Sequence, residues 1–141
     1  MSGLYETDIR LWSEQQAELL RRRAANALDW DNLAEEIGDL AISQKREVRS
    51  RLEGLCQHLL KWAYQPERRS GSWRGSIIEH RERLEDLLQE SPSLRPFANS
   101  MLARSYERAR RRAEAETEVS DLPAHCPWSV EQIISYEFWP D

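Results

Sequence analysis

Nine positions, Leu33, Ile37, Leu40, Gln44, Val48, Leu52, Leu55, Leu59 and Trp62, step by three or four without a break. That spacing turns all nine onto one face of an α-helix. A helix from residue 32 to residue 64 would span about 50 Å at 1.5 Å per residue. Every proline lies at or after Pro66, so no strong helix breaker precedes it, and Gln65-Pro66 ends the helix. Gly38 and Gly54 fall inside, each costing about 1 kcal/mol relative to Ala. They mark a bend or the close approach of a neighbour. Val, Ile and Thr number only twelve in 141 residues, which argues against sheet.

The rest of the chain reads the same way. Tyr5, Ile9, Trp12, Leu19 and Leu20 predict a first helix over residues 5–25, its face interrupted by Gln16. Ser70 or Ser72 caps a third helix over 73–89, carried by Trp73, Ile77, His80, Leu84, Leu87 and Leu88. A fourth runs over 94–118, with Pro96 tolerated in its first turn and a solvated far half. The tail, 119–141, holds a capping box, Ser129-Val130-Glu131-Gln132, that opens a short last helix. Short connections imply antiparallel neighbours. The expected fold is all-α: one domain, an up-and-down four-helix bundle with an aromatic tail packed across it. Trp62 and Trp73 flank one connector and are expected to meet.

Net charge is −5, from 25 acids and 20 bases, which argues against a chain built to coat nucleic acid. No apolar run approaches the roughly 20 residues of a membrane span, and the first residues lack signal-peptide character. Cys56 and Cys126 stand alone rather than in a CxxC pair, so buried thiols in a reducing cytoplasm are expected.

One stretch of sequence is distinctive. His58-Leu59-Leu60-Lys61-Trp62, Tyr64-Gln65-Pro66-Glu67-Arg68-Arg69-Ser70, Trp73, Ile77, Arg81 and Ser91-Pro92-Ser93-Leu94 resemble the bacterial family called domain of unknown function 29. So do Leu33-Ala34-Glu35-Glu36-Ile37 before them and Cys126-Pro127-Trp128 after. The resemblance covers nearly the whole chain. It implies an all-helical bundle and supplies no activity, cofactor or catalytic residue.

Four groups of residues are candidates for function. From Lys61 to Arg83 six bases (Lys61, Arg68, Arg69, Arg74, Arg81 and Arg83) face three acids, with Trp62, Tyr64 and Trp73 interleaved. Guanidinium forks, aromatic faces and a helix start suit a small anion or a partner's carboxylate. The same groups would serve a bundle end equally well, stacked on the two tryptophans. Trp128, Tyr136, Phe138 and Trp139 crowd the tail, as at a protein interface or across a bundle end. Asp29, Asp31, Glu35, Glu36 and Asp39 fit the first turns of a helix, where acids offset the dipole, better than a cation site. His58 and His80 fit helix faces, with no nucleophile placed beside them by sequence. No phosphate loop, metal spacing or catalytic set is evident, so no cofactor or metal is expected. The expected function is a non-enzymatic cytoplasmic protein-interaction module, open to self-association. The alternatives are a small-anion or nucleotide-binding protein, or enzyme, using residues 61–83, and a nucleic-acid-associated protein using the same corner. Long duplex DNA is expected to bind negligibly, because the corner's +3 sits in a remainder of −8.

Overall fold

A computed structural model describes residues 3–141. Those residues are all-helical, with no strand among them. The helices are α1 (Leu4–Thr7), α2 (Ile9–Arg21), α3 (Trp30–Tyr64), α4 (Gly71–Glu90), α5 (Leu94–Thr117) and α6 (Val130–Ile134). Four of them are long. Contacts group the chain into two compact units, the first ending at Ile42 and the second running Ser43–Asp141.

In the first unit, the helix expected over 5–25 is broken at Asp8. The Asp8 carboxylate accepts from the Leu11 amide and caps α2, a role that suits Asp better than a helix interior. At the other end Arg23 adopts a left-handed φ of 56°. There the Ala24 amide reaches the Leu19 carbonyl and the Arg23 amide that of Leu20. Trp12 and Gln16 are buried, whereas Ile9 and Leu20, expected on the buried face, are exposed. Gln16 is inside because its Oε1 accepts the Asp29 amide at 2.8 Å.

In the second unit, pairings fix the helix directions. Going up α3, Glu47 pairs with Arg83, Arg51 with His80 and Lys61 with Trp73, so α4 is antiparallel. Lys45 lies over Phe97, Glu53 faces Arg108, and Gln57 bonds Glu116, so α5 is parallel. The up-down-up core is built from Val48, Leu52, Leu55 and Leu59, then Ile77, Leu84 and Leu88, then Leu102 and Tyr106. The far half of α5 is not solvated throughout: Ala113 is buried, continuing the face of Leu102, Tyr106 and Ala109 into an otherwise charged segment.

Gly54 takes the second of its two expected roles. A Cβ built there would meet His80 Nε2 at 2.5 Å. Gly54→Ala alone should therefore gain nothing, the roughly 1 kcal/mol of helix propensity being offset by displacement of the ring. In a His80→Ala background the same change should stabilise by about 1 kcal/mol in urea unfolding. Equal effects in both backgrounds would show that the ring moves freely.

Candidate functional site

The corner forms where Pro66 opens a tight turn (Pro66–Arg68) and Ser70 caps α4 by accepting the Trp73 amide at 3.2 Å. The tail closes over it, so the basic corner and the aromatic tail are one assembly. Trp139 meets Trp62 at 4.9 Å between ring centroids. Trp62 therefore finds its ring partner in Trp139, while Trp73 carries the Lys61 ammonium at 4.9 Å. Lys61 also pairs with Glu116 at 3.0 Å. Arg69 donates to the carbonyls of Trp62 (2.8 Å) and Pro140 (3.4 Å) and stacks on Trp62. Arg74 lies over the other side chains' shared platform, 5.5 Å from the Trp62 centroid. Arg68 is exposed.

Arg81 is fully buried. Its Nε donates to the Ile133 carbonyl at 2.7 Å, its Nη2 donates to the Phe138 carbonyl, and its plane lies 4.9 Å from the Trp139 centroid. Burial pushes it down to about 10, so it is still charged at neutral pH. Of the tail candidates, Trp128 is held edge-on between Tyr106 and Phe138, and Tyr136 is half-exposed. Arg69, Arg74 and Arg81 thus serve backbone carbonyls and indole faces of the chain itself.

The acids of the first unit have structural partners at one end. Asp29 accepts from Asn32 Nδ2 (2.8 Å) and Trp12 Nε1 (3.0 Å), which hold its carboxyl below the usual range. Glu36 accepts from the Tyr5 hydroxyl at 2.7 Å and pushes that phenol up to about 12. Beside them the apolar stripe of α3 is bare. Trp30, Ile37 and Leu40 are 61%, 64% and 67% exposed, although the same stripe is core from Val48 onward.

Two features bear on chemistry. Cys56 and Cys126, 70 positions apart, are both free thiols, and each shifts the other's titration. Cys126, then burial, pushes Cys56 up. The neighbouring Cys56 thiol pulls Cys126 down to about 7, beside a recess of about 780 Å³ lined by Tyr106, Arg110, His125 and Trp128. Alkylation of Cys126 by iodoacetamide should accordingly rise with pH about a midpoint near 7. In Cys56→Ala the midpoint should move up toward the ordinary ~8.5. An unmoved midpoint would show that Cys56 exerts no such pull. The other feature is His80, pushed down to about 4 by burial, with Arg51 and His58 adding to it. Its Nδ1 faces Arg51 Nη1 at 3.3 Å and accepts that proton, so the ring is neutral at pH 7.

The model of the family described as domain of unknown function DUF29 matches residues 4–139. The chain belongs to the DUF29 family. No curated protein matches it, and no solved structure does.

For this DUF29 chain the sequence reading missed one cluster. Arg46, Arg49 and Glu53 of α3 face Arg104, Ser105 and Arg108 of α5 across a groove of about 360 Å³. The signal was present in the spacing: 46, 49 and 53 share one face of α3, and 104, 105 and 108 one face of α5. Nothing in either helix alone says that the two faces meet. No helix among the described residues is long and apolar enough to cross a membrane.

Proposed function

We propose that this DUF29 protein is a docking module whose α3 segment, Trp30 to Ile42, receives a basic amphipathic helix of a partner protein. The bare stripe of Trp30, Ile37 and Leu40 carries this reading. Burying each such side chain contributes about 1.5–3 kcal/mol, comparable in sum with the cost of association. Charge therefore decides the partner. The stretch holds Asp31, Glu35, Glu36 and Asp39, with Asp29 just before it, and no Lys or Arg occurs between Ala24 and Gln44. The whole formal charge of −5 lies in residues 1–42, nine acids against four bases, while residues 43–141 balance sixteen against sixteen. A second copy would set acids against acids, so the partner is basic and distinct.

The corner's engagement with its own tail weighs against an anion site there, and two free thiols support a reducing, cytoplasmic setting in a bacterium. The probe is a 21-residue helical peptide with Leu at the seam and Lys elsewhere, against the same peptide with Glu in place of Lys. The Lys peptide should bind, weaken with salt, and lose at least about tenfold with Ile37→Ser plus Leu40→Ser. Equal binding of the Glu peptide, or no loss in the double variant, would sink the reading. A dimer in sedimentation velocity that the double variant dissolves would assign the face to a second copy instead.

A further inference from the structure

The groove between α3 and α5 combines two features that no structural role absorbs. Arg46, Arg49 and Arg104 line it, and none of the three has an ion-pair or hydrogen-bond partner among the described residues. At its floor Glu53 is only 8% exposed, and its Oε1 accepts no hydrogen bond. Arg112 and Arg108 approach that oxygen only to 3.7 and 4.0 Å, too far for a hydrogen bond. A buried carboxylate oxygen without a donor is costly, and so it marks a place where a donor is wanted.

We propose that this groove binds a small phosphomonoester that carries an amine, its phosphate on the forks of Arg46, Arg49 and Arg104 and its ammonium on Glu53. Guanidinium forks match phosphate oxygens in geometry and charge. Arg108 and Arg112 already offset the Glu53 charge as long ion pairs, and an ammonium supplies the hydrogen bond that neither makes. A bare anion would meet the Glu53 carboxylate, and so would a continuous polyanion, whose phosphates cannot all avoid the floor. The volume, about 360 Å³, is at the small end of ligand pockets. The Ser50 and Ser105 hydroxyls, also in the lining, are placed for a compact ligand. The site lies wholly within the second unit and does not rest on the docking role of residues 30–42.

Isothermal titration of the full chain tests it, with O-phosphoethanolamine, inorganic phosphate and glycerol phosphate as probes. O-phosphoethanolamine should bind at least about tenfold tighter than the other two, one charge-assisted hydrogen bond being worth about that factor. Glu53→Gln should bring the three together. Arg49→Ala and Arg104→Ala, at exposed positions, should weaken all three by about fivefold or more, and keep the test open should Glu53→Gln not fold. Equal affinities in the unsubstituted chain, or no binding up to about 10 mM, would overturn the proposal. So would binding confined to vesicles of phosphatidylethanolamine, which would assign a lipid headgroup. Tighter binding of a single-stranded 20-mer DNA than of any ester would assign a polyanion.

Discussion

Arg81→Ala should lower the unfolding free energy by about 3–5 kcal/mol, although Arg81 pairs with no carboxylate. The change strands the Ile133 and Phe138 carbonyls, which lose their one side-chain donor among the described residues. An unmade bond to a buried acceptor costs about 1–3 kcal/mol, and two are lost together. The desolvated stack on Trp139 is worth about 2 kcal/mol more. Relief of the buried charge returns part of this, which sets the upper bound. Arg81→Lys keeps the charge but offers one point donor in place of a fork, and should fall about midway. The loss should not vary between about pH 6 and 9. The folded guanidinium, pushed down to about 10, and the unfolded one, higher still, are both charged there. Only above pH 10 does the unfolded chain bind more protons, so stability rises with pH from that source. Limited proteolysis should show the tail beyond Trp128 cut first. A loss under 1 kcal/mol in urea unfolding would mean that the tail is held by its aromatic side chains alone.

Arg81 also shows where a sequence stops speaking. It occupies the stripe Ile77, Arg81, Leu84 and Leu88, spaced by four, three and four, so its place on a core face was legible. What it meets there was not, because its acceptors are carbonyls 52 and 57 residues away, and every residue carries a carbonyl. The reverse holds for Ile37 and Leu40. Their periodicity is as regular as that of Val48 and Leu52, yet one pair is bare and the other is core. Spacing tells which residues share a face and nothing about what covers it. Local chemistry fared better: Ser129 and Gln132 form the reciprocal cap their spacing implies, because both partners lie within one turn. Asp8 obeys the same local rule and was overlooked for the apolar pattern around it. In α5, Ala109 closes the apolar face that the spacing predicts, whereas Ala113 is hidden by the charges beside it, since alanine reads as neutral in any hydropathy pattern.

Trp62→Ala and Trp73→Ala should separate, although the two residues frame one connector. Trp62 is 6% exposed and is the platform on which Trp139, Arg69 and Arg74 converge. Removing a buried tryptophan costs about 3–5 kcal/mol, through lost transfer energy and the cavity left behind. Little can collapse into that cavity. Trp139 is also held by the Arg81 guanidinium, and Arg69 is fixed by the Trp62 and Pro140 carbonyls. Trp62→Ala should therefore sit at the upper end of the range and expose Trp139, shifting its fluorescence to the red. Trp73 is only partly buried against the core, and its cation–π partner, Lys61, keeps its Glu116 partner after the ring is gone. An exposed cation–π contact is worth about 0.5–1 kcal/mol, and half-burial adds a comparable amount, so Trp73→Ala should cost about 1–2 kcal/mol. Because both rings lie near one bundle end, equal losses would show that the hairpin, not the tail, holds the corner. A Trp62→Ala loss that vanishes in a chain already carrying Trp139→Ala would show the opposite, since the second substitution would then have nothing left to remove.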